Sequence, residues 1–365
     1  MEKKKIIVLF GGRSGEHEVS LRSAASVISA LDKNKYQVVP VLITREGSWI
    51  KGVFPEEAPE AEAKGVKVFL PADPCYGKLA SLKDGCAQFV DDEADVVIPV
   101  LHGTFGEDGT VQGLLELANI PYVGAGVLGS ALGMDKVMMK TVLAYHGIPQ
   151  PKFVSCIRKD VENNMDSVIT EIESKLGYPC FIKPANLGSS VGITKAHHRE
   201  ELKSGLNFAS SYDRKIIIEE FVDAREVEVS VLGNDSPIAS MPGEIVPLKE
   251  FYDYEAKYTE GLSDLKIPAD LPPNTVASLQ KLAVKVFKAL DCAGMARVDF
   301  FLIKADGSVM VNEINTLPGF TSLSMYPKLW EVTGISYPDL LDRLINLAIE
   351  RHRDKNRNVT TYEHS

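Results

Sequence analysis

The sequence predicts an α/β fold with α+β character, an open parallel sheet at the N-terminus followed by two further α/β units. Three observations carry this expectation. Ile6 to Phe10 is a strand-length apolar run stopped by Gly11-Gly12, after which Val19, Ala24, Val27, Ile28 and Leu31 recur at helical spacing before a second strand, Val38 to Ile43. Val96 to Leu101 is another apolar run of strand length, as expected where both faces of a sheet are covered. Further on, Val227, Val229 and Val231 alternate with Glu226, Glu228 and Ser230, the period of a half-buried antiparallel strand.

Composition narrows the class. A chain of 365 residues has room for two or three domains, and 45% apolar with 25% charged residues excludes fibrous and disordered classes. Apolar runs stop at strand length, so no membrane partner and a cytoplasmic location are expected. The cysteines Cys75, Cys86, Cys156, Cys180 and Cys292 show no paired framework, which fits a reducing compartment. A formal charge of −10 disfavours nucleic acid, so a polyphosphate ligand would have to be met by local Lys, Arg and backbone N–H groups.

The first unit is read as residues 1–124. Its strands end in Gly11 to Glu16 and His102 to Gly109, and ligands of open α/β sheets bind beyond the carboxyl ends of strands. Residues 51–90 predict an elaborated connection with short strands and no chemistry. The second unit, 125–214, holds a helix through Met134 to Tyr145, the breaker His146 to Pro149, a helix over Val168 to Leu176 and a strand over Cys180 to Lys183. The third, 215–365, opens with a strand over Ile216 to Phe221. It closes with a helix over Pro338 to Arg351, marked by Ser336, Asp339 and an apolar face of Leu340, Leu341, Leu344 and Leu347. The polar tail after Arg353 is expected to fray.

The chemistry concentrates between Arg297 and Met325. Strands Arg297 to Ile303 and Ser308 to Ile314 around a three-residue loop, Ala305-Asp306-Gly307, put Asp299 opposite Glu313 and Arg297 opposite Asn315. Opposed carboxylates repel unless a cation lies between them. Oxygen ligands with neither His nor Cys among them suit Mg²⁺ shared with nucleotide phosphates, so Asp299, Glu313 and Asn315 are the candidate metal ligands. A lone acidic pair would read as a solvated hairpin, but Phe300, Leu302, Val309 and Val311 call for a covered sheet.

Lys183 to Gly192, KPANLGSSVG, follows a strand and is neither a Walker A sequence nor a dinucleotide fingerprint. Its small residues would expose backbone N–H groups to phosphate, Ser189 and Ser190 add hydroxyls, and Lys183 supplies a charge that a strand rarely hides without an anion. Lys136 by itself reads as a solvated helix lysine. Glu219, among apolar neighbours, suits an adenine amino group, whereas Glu226 reads equally as a ribose ligand or a solvated strand residue. Phe251 to Tyr258, inside a segment of about 247–262, reads as a lid that excludes water.

With these residues in view the chain resembles the D-alanine:D-alanine ligases of the ATP-grasp superfamily. The resemblance rests on Gly11 to Ser20 (GGRSGEHEVS), His102-Gly103 with Gly106 to Gly109, Met134 to Lys136, Gly188 to Gly192, Glu255 to Tyr258, Arg297 to Asp299, and Asn312 to Thr316 with Pro318-Gly319. These motifs stand in family order over nearly the whole length. The resemblance implies three domains, ATP gripped between the second and third, and Mg²⁺ on Asp299, Glu313 and Asn315, with Mn²⁺ or an added monovalent cation left open. It implies Lys136, Lys183, Ser189 and Ser190 at the phosphates, Glu219, Val222 and Glu226 around adenosine, and Lys257 on the terminal phosphate. Glu16 would anchor the ammonium of the first D-alanine, grouped with Ser189 and Tyr258. His102 would also touch substrate, and Ser324 and Met325 would hold the second one. Some relatives carry Leu where this chain has Met325. Arg297 and the Gly319 N–H would stabilise the oxyanion of the amide-forming step.

The implied reaction converts the first carboxylate into an acyl phosphate, which the second amine attacks to give a dipeptide for peptidoglycan synthesis. A homodimer is also implied. Nearby alternatives are D-alanine:D-serine and D-alanine:D-lactate ligases, the latter disfavoured by Tyr258. Another ATP-grasp carboxylate-amine ligase is disfavoured by Glu16 to Ser20. A non-catalytic nucleotide-binding relative would be expected to lack Asp299, Glu313 or Arg297, and all are present.

Overall fold

The computed structural model describes residues 3–83, 86–90, 94–247, 263–321 and 323–360. The apolar runs near the N-terminus form β1 (Lys4–Gly11), β2 (Tyr36–Ile43), β3 (Trp49–Lys51), β4 (Val66–Val68) and, after a separate hairpin of β5 (Ala80–Lys83) and β6 (Cys86–Phe89), β7 (Val96–Leu101). The sheet order is β4-β3-β2-β1-β7. β1 runs parallel to both β2 and β7, and β3 and β4 add an antiparallel edge. Gly11 pairs with Leu101, so the segments after β1 and β7 leave the sheet side by side. That register places Glu16 and His102 at one sheet end.

The middle sheet has the order β10-β9-β11-β8, from β8 (Phe153–Ile157), β9 (Cys180–Pro184), β10 (Thr194–Ala196) and β11 (Lys215–Glu220). All its pairings are antiparallel. Helices Met165–Lys175 and Arg199–Tyr212 bury Ile169, Ile172, Leu202 and Leu206 against Ile182, Ile216 and Ile218. β11 is the strand from which the sequence opened a third unit. Its hydrogen bonds go to β8 and β9, so sheet membership changes between Glu220 and Ala224.

The last sheet runs β15-β14-β12-β16-β17, with β13 (Ile238–Ala239) beside β12. Its members are β12 (Ala224–Gly233), β14 (Gly243–Pro247), β15 (Ser263–Lys266), β16 (Gly294–Ile303) and β17 (Val309–Asn315). Helix Pro273–Ala289 covers one face, packing Leu279, Ala283, Val286 and Phe287 on Val227, Val229, Val298 and Phe300. Truncating such a core aromatic, Phe287→Ala, would cost about 3–5 kcal/mol. The other face of β12 was expected in solvent, yet Glu228 and Ser230 are buried. Helix Met325–Val332 lies over it, and the Ser230 hydroxyl donates to the Tyr326 carbonyl at 3.3 Å.

The hairpin β16–β17 keeps the predicted pairs, Arg297 with Asn315 and Asp299 with Glu313. It reaches them by another route. The connection runs from Lys304 to Ser308, Phe300 pairs with Val311, and the register shifts between Asp299 and Phe300, so Asn312 is inserted and restores the alignment. Gly307, at φ +71°, takes the left-handed position. The predicted helix through Met134 is two helices, Val127–Met134 and Lys136–Tyr145, because the Asp135 carboxylate accepts from the N–H groups of Val137 and Met138 and caps the second.

The closing helix, Tyr337–Lys355, starts at the Ser336 cap and packs Leu340, Leu341, Leu344 and Ile345 into the core that contains Ile98 and Val100 of β7. Arg351 donates to the carbonyls of Gly124 and Tyr122 at 2.5 and 3.1 Å, tying the end of the chain to the first unit. All five cysteines are free thiols. Among the described residues no helix is long and apolar enough to cross a membrane.

Candidate active site

The three larger sheets converge on one cavity of about 300 Å³. Glu16, His102 and Glu107 come from the carboxyl ends of β1 and β7, Lys136 from a helix N-terminus, and Gly188 and Ser189 from the loop after β9. Glu226 and Glu228 on β12, Arg297 and Asp299 on β16, and Glu313 and Asn315 on β17 form the facing wall. Gly319, Ser324 and Met325 close the end.

On that wall the guanidinium of Arg297 donates from Nε and Nη2 to Asp299, both at 2.8 Å, and its Nε lies 2.9 Å from Oε2 of Glu228. Burial would lower the Arg297 pKa, but Asp299 and Glu228 outweigh it and hold it well above its ordinary value. One cation therefore serves two buried carboxylates, and Glu313 stands opposite Asp299. Asn315 accepts from the Leu317 N–H at 3.2 Å, which orients its amide oxygen. Among the described residues no three His, Cys, Asp or Glu side chains could ligate a metal by themselves. Two carboxylates and an amide nevertheless fit a Mg²⁺ that takes its other ligands from phosphate and water.

Across the cavity, the Ser189 hydroxyl donates to Glu16, and Ser189 and Ser190 adopt φ of 51° and 59°, rare for non-glycine residues. A Cβ on Gly188 would come within 3.1 Å of Glu16 Oε2, so glycine lets the loop approach that carboxylate. His102 donates from Nδ1 to the Leu317 carbonyl at 3.2 Å, since a carbonyl can only accept, and its Nε2 faces the Ser23 hydroxyl at 3.3 Å. Burial lowers its pKa despite the opposing pull of Glu16, which favours neutral imidazole. A Cβ on Gly319 would lie 2.8 Å from Ser324 Oγ, and that hydroxyl accepts from the Thr321 N–H at 3.0 Å. Met325 is buried against Leu329 and Ile245.

Of the predicted site residues, Glu16, His102, Lys136, Ser189, Glu226, Arg297, Asp299, Glu313, Asn315, Gly319, Ser324 and Met325 line this cavity. Lys183, Ser190, Glu219 and Val222 stand back from its wall. Lys136, read alone as a solvated lysine, is buried and donates to the Leu187 carbonyl at 2.7 Å. Lys257, Tyr258 and the proposed lid beyond Pro247 lie outside the described residues.

Models of the D-ala D-ala ligase N-terminus and C-terminus match residues 5–125 and 142–346, which together take in most of the chain. The chain belongs to the D-alanine–D-alanine ligase family. A D-alanine–D-alanine ligase of Thermoanaerobacter sp. is 55% identical over 97% of this chain and 99% of its own, and one from Acetivibrio thermocellus 50% over 97% and 98%. Among solved structures, the D-alanine-D-alanine ligase of Coxiella burnetii superposes with a TM-score of 0.84 at 37% identity, covering 98% of this chain and 97% of that one. The VanG D-Ala:D-Ser ligase of Enterococcus faecalis gives 0.85 at 38%, covering 95% and 100%. The sheets described above are thus the ATP-grasp architecture of D-alanine–D-alanine ligases.

Three residues were given no role of their own from the sequence. Glu107 accepts from the Gly103 N–H at 2.7 Å, and burial, then the nearby Glu16, push its carboxyl up to about 8. Glu228, taken for an outward strand residue, is a buried partner of Arg297. Lys140 is fully buried and meets Glu219, which also meets Lys183. The spacing Lys136 to Lys140 puts both lysines on one helix face, a signal that was available but unremarkable.

Proposed function

We propose that the chain joins two molecules of D-alanine into D-alanyl-D-alanine for peptidoglycan synthesis, converting ATP to ADP and phosphate through a D-alanyl phosphate. The observation that carries this reading is a single cavity with an acidic, hydroxyl-bearing wall at Glu16 and Ser189 facing a cationic and acidic wall at Arg297, Asp299 and Glu313. The first wall suits the ammonium of an amino acid. The second suits a phosphate with its metal.

The sequence of bonds follows from charge. A carboxylate is a poor electrophile, so a carboxylate oxygen of the first D-alanine takes the γ-phosphoryl group as the bond to ADP breaks. Glu16 holds the ammonium, and Lys136 with Lys183 meets phosphate oxygens. Mg²⁺ on Asp299, Glu313 and Asn315 would supply charge neutralisation at the phosphates when bound. The amine of the second D-alanine then attacks the acyl carbon, Arg297 and the Gly319 N–H stabilise the oxyanion, and phosphate leaves as the amine gives up a proton. Ser324 and Met325 receive the second substrate, and His102, as a neutral donor, orients the segment around Leu317. Tyr258 and Lys257 act from the lid, with Lys257 on the terminal phosphate.

Glu219, Val222 and Glu226 receive adenosine, beside Ser190. Mn²⁺ can replace Mg²⁺ in an all-oxygen site of this kind, and a monovalent cation is an added activator to test. The working unit is a cytoplasmic homodimer. Three units divide the chain near 124 and near 220, the second boundary moved from 214 so that β11 stays with its sheet.

The similarity to a D-Ala:D-Ser ligase favours one second reading, with D-serine as the second substrate. Steady-state kinetics with D-alanine, D-serine and D-lactate as competing second substrates at neutral pH decide between them. The dipeptide reading expects D-alanine to give the highest kcat/KM. A preference for D-serine or for depsipeptide formation would overturn it.

A further inference from the structure

Lys140 is a buried cation that the reaction above does not use. It lies one turn beyond Lys136 on the helix Lys136–Tyr145, with its side chain 1% exposed. Such a group is seldom taken out of water unless an anion balances it. Here Lys140 Nζ lies 2.8 Å from Oε1 of Glu219, and Lys183 Nζ lies 2.5 Å from Oε2 of the same carboxylate. Two buried lysines face this one adjacent carboxylate, with Glu313 the next anion acting on both; burial lowers the Lys140 pKa and Glu219 opposes that shift.

The two lysines are not equivalent. Lys183 is 13% exposed at the head of the phosphate-binding loop, whereas Lys140 has no opening toward solvent. Lys140 makes no well-directed hydrogen bond among the described residues despite its short distance to Glu219, so it acts on that carboxylate as a compensating charge. A pair of Lys183 and Glu219 alone would be neutral, and moving Lys183 to another anion would strand a buried carboxylate.

We propose that Lys140 is a positioning residue for nucleotide binding: it balances Glu219, so that Lys183 can leave that carboxylate for a phosphate group without stranding a buried charge. This rests on the ATP-dependent reading above. Burial alone would raise the Glu219 carboxyl, but Lys140 and Lys183 together hold it down to about 2, so with both lysines in place it is an ionised acceptor.

The test compares ADP with adenosine by calorimetry on the full chain, because only ADP asks Lys183 to move. Lys140→Met should weaken ADP by about tenfold or more and adenosine by no more than about twofold. Lys140→Arg should restore the ADP affinity. In Lys140→Met with Glu219→Gln the ratio of ADP to adenosine affinity should return toward the wild-type ratio, since no stranded charge then holds Lys183. If Lys140→Met does not fold, Lys140→Gln is measured with the same expectation. Equal losses for ADP and adenosine, or unchanged ADP binding, overturn the proposal while wild-type discrimination and D-alanine-dependent ADP release stand. A wild-type protein that binds ADP no tighter than adenosine overturns it together with the reading beneath it.

Discussion

Arg297 donates from Nε and Nη2 to Asp299, 2.8 Å for each bond, while Glu228 stands 2.9 Å from the same guanidinium. This buried group carries one positive and two negative charges, and across the strand pair Glu313 adds a further carboxylate that Lys136 Nζ faces at 3.7 Å. The imbalance is what a divalent cation would relieve. In the proposed reaction Arg297 would also serve as the oxyanion donor, so one residue would couple the proposed metal face to the amide-forming step.

Replacing Arg297 tests that coupling. Arg297→Met leaves Asp299 and Glu228 buried without their cation, which should cost about 3–5 kcal/mol of stability. Dipeptide synthesis should fall by about 10²–10³-fold through loss of an oxyanion donor. Thermal unfolding with and without Mg²⁺ and ADP checks the first claim: the added ligands should raise the variant's Tm more than the wild type's.

Glu313→Gln keeps the shape of β17 and removes one formal charge from the proposed metal ligands. Turnover should drop strongly and depend on higher Mg²⁺, measured as ADP release across a Mg²⁺ titration. Near-normal turnover at low Mg²⁺ would remove Glu313 from that set.

At the opposite wall, Glu16→Gln should chiefly raise the KM for the first D-alanine, because the ammonium loses its counter-charge while the Ser189 contact can persist. Initial-rate analysis that separates the two D-alanine sites gives the answer. An unchanged first-site KM and kcat would count against this role.

Glu107 makes stability depend on pH in a defined direction. Its carboxyl rises from an ordinary 4.5 to about 8 in the folded protein, so between these values the native state holds a proton that the unfolded chain has released. Stability from this group is therefore full below pH 4.5 and is lost as pH rises toward about 8. Glu107→Gln should flatten that part of the Tm-versus-pH curve. A slope equal to the wild type's would exclude Glu107 as its source.

Much of this was legible in the sequence because local pattern and local chemistry coincide. The β1 and β7 runs, the Ser336 cap and the paired positions of Asp299 and Glu313 follow from period and turn residues. The inserted Asn312 was not legible, since a bulge and a longer loop compensate each other and leave the same pairs in register. Nor was the sheet membership of β11, which is settled by partners β8 and β9 distant in sequence. Lys140 and Glu228 show the same limit. A charged residue at a helical or strand period reads as solvent-facing until a second element covers it, as β11 supplies Glu219 to Lys140 and β16 supplies Arg297 to Glu228.

In the proposed reaction the first D-alanine is activated as an acyl phosphate in the cavity between Glu16 and Arg297. Turnover of D-alanine labelled with ¹⁸O in its carboxylate, with ATP and Mg²⁺, tests it directly by mass spectrometry of the released phosphate. One labelled oxygen in phosphate is expected for each dipeptide formed. Unlabelled phosphate accompanying dipeptide, or phosphate released at the same rate without D-alanine, would contradict it.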